Sequence, residues 1–286
     1  MNTATATLAT QTVSGVAKQV AALLPSRRNR PWTVTPQQGS LSWGSDCVRL
    51  SDGARGVLVA QIDTARLGVF AEHPDEYTSE PDVVADIRDP DVAGSIAALL
   101  LRSILPRRDR EADRVTGHAP DTSGWDQVLT RRMGDLMEVG FQIIDHGSHP
   151  QACEVAYAAP GLTWTTGQGG TWGLWLQGRS AHLDVCYDGP VSGLYGVLPS
   201  LLPPAEGRIS ANVGSVFTRH LTDRFPQLLP IGPDEVNLPG RREPSGFIAL
   251  PEKTVPTDHT DHHTAVIGEF RSVGADLLLA AAPHLV

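Results

Sequence analysis

His182, Asp184 and Cys186 bring together the residue types of nucleophilic catalysis: a thiol, an imidazole to take its proton and a carboxylate to orient the imidazole. Their spacing does not make a ready triad. On a strand, residues two apart share a face but lie about 6.5–7 Å from one another, outside hydrogen-bond reach. Partners would have to come from another strand, and the competing reading is a polar sheet face partly covered by a helix or loop. A second constellation is Asp258, His259, Asp261, His262 and His263 in TDHTDHH. Imidazoles and carboxylates so close suit zinc or a similar ion, and His259 and His263 would face together on a helix. Pro256 argues for a loop, so a solvated His-rich turn stands beside the metal reading. His146 and His149 could join such a site only through tertiary contact.

Other motifs exclude more than they suggest. GQGGTWG has glycines at 167, 169, 170 and 173, but its flanks read as strands on both sides, which makes it a hairpin connection and not a phosphate cradle. There is no G-x-x-x-x-G-K-S/T, G-x-S-x-G or H-E-x-x-H. No cofactor is expected. Arg102, Arg107, Arg108, Arg110 and Arg114 form a basic cluster, but Asp109, Glu111 and Asp113 interleave it and no aromatic platform accompanies it. With a net charge of -9, nucleic acid is disfavoured as a partner.

The elements that must position these residues follow from periodicity. Leu162, Trp164, Trp172, Leu174, Leu176, Leu183, Val185 and Tyr187 share one face of three strands, which is a core. The opposite face carries Thr163, Thr165, Trp175, Gln177, His182, Asp184 and Cys186. That mixture is too polar for a dry interior and too aromatic for a plain solvated surface. The strands feed a helix that closes on Leu-Leu-Pro at 201–203, and residues 31–106 repeat the plan loosely.

The chain therefore reads as α+β, with two similar units, each a small antiparallel sheet backed by helices, and with internal duplication as the explanation. Its 286 residues fit about two domains. Val13, Val16, Ala17, Val20, Leu23 and Leu24 set a first helix stopped by Pro25. Strands are expected at 32–35, 41–50 and 57–70, the last broken by a turn near Asp63 and Thr64. Residues 73–91 read as surface loop, and a helix starting at 89–91 ends at Pro106. The boundaries are 1–12 disordered, 13–114 first unit, 115–123 linker and 124–286 second unit. The second unit opens with a helix from Ser123 to Gly140. After the three strands come two helices, a Pro- and Gly-rich loop over 230–246, two strands and a terminal helix. That element order resembles the compact α+β folds of secretion-chaperone-like modules.

Cys47, Cys153 and Cys186 are odd in number and widely spaced, which points to a reducing compartment and against a disulfide framework. No run approaches the ~18 apolar residues of a membrane span, and MNTATATLAT lacks the features of a secretory signal. A soluble, cytoplasmic protein is expected, with no membrane partner. Of 23 basic residues only Lys18 and Lys253 are lysines, a bias typical of GC-rich bacterial genomes. The functional expectation is a non-enzymatic accessory or interaction protein. It would use Trp175, Gln177, His182, Asp184 and Cys186 to meet a protein partner or a second copy of itself. The alternative is a small-molecule enzyme or metal-dependent hydrolase with a His- and Asp-lined pocket, His259 and His263 being the metal candidates.

Overall fold

The computed structural model describes residues 12–37, 47–72, 80–118, 123–155, 159–176, 182–204, 215–239, 244–251 and 261–286. The protein is mixed α and β, with a five-stranded and an eight-stranded antiparallel sheet and several helices. It divides into two compact units between Leu99 and Leu100, earlier than the boundary near 115 read from composition.

In the first unit, Thr12 caps helix α1 (Val13–Leu23), its side chain accepting from the Gly15 N–H at 3.1 Å. Val13, Val16, Ala17 and Val20 are the buried face, as their spacing requires. Strands β1 (Thr33–Pro36), β2 (Cys47–Ser51), β3 (Gly56–Gln61), β4 (Arg66–Ala71) and β5 (Val83–Asp86) form a simple meander in that order. The expected break at Asp63 is a turn in which its carboxylate accepts from the Ala65 and Arg66 N–H groups, both at 2.9 Å. One face of the meander buries Val48, Leu50, Val57, Val59, Leu67 and Val69, and α1 packs on β1, β2 and β3. Helix α2 (Val92–Leu99) packs against α1.

The second unit opens with a π-helical turn, Leu100–Ile104, followed by α3 (Leu105–Gly117) and α4 (Gly124–Asp145). Three expectations change here. Pro106 does not end a helix: it sits in the first turn of α3, directly after the π-helical turn. The stretch expected as linker, 115–123, begins inside α3, whose ion pairs to α4 explain why so charged a segment is helical; residues 119–122 lie outside the described residues. Gly140 does not stop α4 either. A Cβ there would stand 2.7 Å from Leu162 Cδ1, so the glycine marks close helix–sheet approach.

Strands β6 (Gln151–Val155), β7 (Ala159–Thr165), β8 (Thr171–Leu176) and β9 (Leu183–Pro190) make one meander. A 3-10 turn (Val191–Leu194), α5 (Leu198–Leu201) and α6 (Val216–Arg224) follow. Strands β10 (Leu229–Pro230), β11 (Glu235–Asn237), β12 (Ser245–Ala249) and β13 (Ala265–Val273) make a second meander, β10 and β11 falling in the segment expected as loop. The two meanders join at the centre, where β13 pairs antiparallel with β9, giving the order β10-β11-β12-β13-β9-β8-β7-β6. Helix α7 (Ala275–Ala281) packs on α4 and α5.

Candidate functional site

The strand registers assign the faces of the large sheet. Leu162, Leu174 and Val185 stand opposite one another across β7, β8 and β9, and so do Trp164, Trp172 and Tyr187. All six are buried. Helix α4 covers them, packing on β7 and β8, and the Trp164 indole N–H donates to the Leu285 carbonyl at 2.7 Å. The Trp172 and Tyr187 rings meet at 4.5 Å. The Tyr187 hydroxyl donates to the Pro190 carbonyl at 2.6 Å, and burial pushes its pKa up to about 12.

The opposite face keeps contact with solvent. One row runs from Asn237 through Phe247, Glu269, Cys186 and Gly173 to Gln151, crossing seven strands. Phe247, Glu269 and Cys186 are half-buried and Gln151 is exposed. In the neighbouring row Trp175 pairs with Gly161 on one side and Asp184 on the other. A Cβ on Gly173 would lie 2.6 Å from Cys186 Sγ and 3.8 Å from Trp175 Cζ3. The indole therefore leans along its own strand into space that the glycine leaves, and remains half-buried.

Of the residues singled out by sequence, the structure brings Trp175, Asp184 and Cys186 to this face, and Gln177 lies outside the described residues. Asp184 is buried. Its carboxylate accepts from the Ser272 N–H at 2.9 Å, at an irregularity in β13 where Ser272 has φ 60°, and burial raises its pKa. Cys186 is not an activated nucleophile: burial raises its pKa, with Glu269, Cys153 and Asp188 adding to the rise, whereas a reactive thiolate needs a positive surrounding.

His182 does not serve Cys186. It precedes β9 and reaches the helix layer, where Arg110 of α3 donates to its Nε2 at 3.0 Å. Burial, with Arg110 and Arg132 nearby, drives its pKa from 6.5 down to about 4, so the ring is neutral. Arg132, itself buried, is the centre of that layer: it meets Asp113 of α3 at 2.6 Å and Asp135 of its own helix at 2.8 Å, while Arg131 reaches Asp113 at 3.0 Å. The interleaved charges of 107–114 are thus an internal ion network for Asp113, and an outward one for Arg108 and Glu111 at 3.3 Å.

The His-rich segment is only partly described. His259 lies outside the described residues, and His263 is exposed in a turn where its N–H donates to Asp261 Oδ1 at 2.9 Å. The neighbour His262 is the one that meets other rings: Tyr195 at 5.8 Å and His220 at 6.3 Å. Tyr195 and His220 share a 2.6 Å hydrogen bond, and the Arg224 guanidinium stands 4.1 Å over the Tyr195 ring. Among the described residues no group of three or more His, Cys, Asp or Glu side chains could hold a metal ion, and no helix is long and apolar enough to cross a membrane.

No family model, curated protein or solved structure matches this chain. The resemblance to secretion-chaperone-like modules accordingly remains one of element order. A small cavity of about 190 Å³, lined by Thr166, Gln168, Ser192 and His284 among others, lies below the ~300–1,000 Å³ of ordinary small-molecule pockets. Sequence reasoning missed Arg132 and the Tyr195–His220 pair. Arg132 does have a signal, since it falls in step with Val128, Leu136 and Val139 on the buried face of α4. The Tyr195–His220 pair joins segments 25 residues apart and has none.

Proposed function

We propose that this chain is a non-enzymatic accessory protein that presents the solvent-facing side of its eight-stranded sheet to a protein partner. The observation that carries the reading is Trp175. A large indole, half-buried on glycine-lined strands beside Cys186 and Asp184, leaves apolar area that a partner would remove from water. The raised pKa of Cys186 and the engagement of His182 by Arg110 favour binding over nucleophilic chemistry on this face. The three free cysteines fit a reducing, cytoplasmic setting. The order of helix, antiparallel meander and helix in both units supports reading them as copies of one plan.

The test compares two tryptophans. Affinity capture from a native lysate should retain a partner on the wild-type chain that Trp175→Ala loses. In denaturant melts, Trp175→Ala should lower stability less than Trp164→Ala, for which burial predicts about 3–5 kcal/mol. Equal stability losses with capture unchanged would make Trp175 an internal packing residue and remove the reading.

A further inference from the structure

Three rings from three separate segments of the second unit meet one another. Tyr195 follows the 3-10 turn after β9, His220 stands in α6, and His262 lies in the turn before β13. The Tyr195–His262, Tyr195–His220 and His220–His262 centroids are 5.8, 6.2 and 6.3 Å apart, so each ring neighbours the other two. Backbone bonds fasten two of the segments together. The Val191 and Ser192 N–H groups donate to the Thr264 and His262 carbonyls at 2.8 and 3.3 Å.

Arg224 completes the group. It stands one turn after His220 on the same face of α6, and its guanidinium lies 4.1 Å over the Tyr195 ring and 5.8 Å over that of Phe225. Arg49, Arg55, Arg66, Arg88 and Arg271 each meet a carboxylate within 2.9 Å. Arg224 meets rings instead, and among the described residues no carboxylate pairs with it. A place in the last turn suits the helix dipole, but the dipole does not require a stacked guanidinium. Stacking holds the planar fork in position and leaves its N–H donors unused. His220 offers a further donor. The Tyr195 hydroxyl, whose pKa burial raises, keeps its proton and donates it to His220 Nε2 at 2.6 Å, so the neutral imidazole carries its own proton on Nδ1. Burial lowers the pKa of His220, and His262 and Arg224 lower it further, by more than Asp223 and Asp261 offset. The local field is therefore positive on a chain of net charge -9.

We propose that Arg224, His220 and His262 form a binding site for a phosphoryl dianion, free or carried on a small monoester. The guanidinium fork alone saturates a planar carboxylate, whereas a tetrahedral oxyanion has further oxygens for the imidazole donors. Once bound, the anion offsets the repulsion between protonated imidazole and guanidinium, so anion binding and His220 protonation favour each other. Arg224 and His262 are exposed, and water screens the attraction, so the affinity is modest, roughly millimolar. This inference does not involve Trp175, and it stands whether or not the sheet face binds a partner.

Imidazole NMR of the full chain, titrated with inorganic phosphate to about 20 mM at constant ionic strength, tests it. Phosphate should raise the His220 titration midpoint by about half a pH unit or more and shift the His262 ring resonances, leaving those of His146 and His149 in place. Arg224→Gln should weaken binding at least tenfold. Arg219→Gln removes the same charge from the same helix and should bind as the wild type does, with thermal melts showing that both variants fold. O-phosphoserine separates the two sources: a site for free phosphate takes the inorganic ion more tightly, and a site for a carried phosphoryl group takes the monoester more tightly. If neither ligand moves His220 and His262, or if chloride at matched ionic strength moves them equally, the proposal falls. It falls too if Arg219→Gln weakens binding as much as Arg224→Gln, because a diffuse field would then account for the attraction.

Discussion

The two faces of the eight-stranded sheet are made by the same strands, yet they solve opposite problems. On the helix side, Leu162, Leu174, Val185, Trp164, Trp172 and Tyr187 fill every position, and the layer above is fixed by the ions joining α3 to α4. On the solvent side, the matching positions are Gly161, Trp175, Asp184, Thr163, Gly173 and Cys186. Two glycines in six positions remove side chains where the other face packs them. Alternation assigns residues to faces, whereas what occupies a face depends on volume and on neighbours distant in sequence. Three perturbations test that contrast.

The largest effect is expected from the helix side. Arg132→Ala removes the buried cation that Asp113 and Asp135 share, leaving Asp113 only the more exposed Arg131, and should destabilise by about 3–5 kcal/mol in urea melts. Replacing Arg132, Asp113 and Asp135 together by apolar residues of similar volume should recover most of that loss, since paired burial of ions contributes little net stability. A loss under ~1 kcal/mol for the single variant would mean that water reaches the network.

Legibility follows the same division. All eight residues assigned to the core face from period two are buried, because strand pairing converts alternation directly into sidedness. His182 broke the pattern because it stands just before β9, where the strand geometry that fixes sidedness has not yet begun, and Arg110 draws it into the helix layer. The linker expected at 115–123 begins inside α3 because charge looks solvated in one dimension; the partners of Asp113 and Thr116, Arg131 and Arg132, lie 15 or more residues away, across the helix–helix connection. Gly140 and Pro106 read as stops because what surrounds them, close approach to Leu162 and a π-helical turn just before the proline, is invisible locally.

The intermediate effect is a pH dependence. His182 has a folded-state pKa of about 4 against 6.5, so the unfolded chain takes up a proton first as pH falls. Its contribution to stability is fully present above about 6.5 and is lost progressively toward pH 4, by roughly 3 kcal/mol at most. Asp184, two residues away, has its pKa raised, so the sign reverses: its contribution is present at low pH and is lost as pH rises through its folded pKa. Melting His182→Gln and wild type between pH 4 and 7 should show the variant losing less stability over that interval. Parallel curves would place His182 in contact with solvent, on the same side as Trp175.

The smallest effect is the sharpest comparison of the faces, because it uses two glycines with nearly the same clash. A Cβ at Gly140 would stand 2.7 Å from Leu162 Cδ1, and one at Gly173 would stand 2.6 Å from Cys186 Sγ. Alanine should gain up to about 1 kcal/mol at either site from reduced unfolded-state freedom, more surely in the helix. Relief of the clash is what differs. Leu162 is held between α4 and the sheet, so Gly140→Ala must push the helix away and should cost about 1–3 kcal/mol before the helix gain is counted. Cys186 is half-buried, on a face where its short side chain can change rotamer toward solvent, so Gly173→Ala should fall within ~0.5 kcal/mol of wild type. Melts of the two variants, with Cys186→Ala/Gly173→Ala as a control that removes the sulfur, measure the room on each side directly. If Gly173→Ala is as damaging as Gly140→Ala and the double variant restores stability, Cys186 has nowhere to turn, and the solvent-facing side of the sheet is packed as tightly as the other.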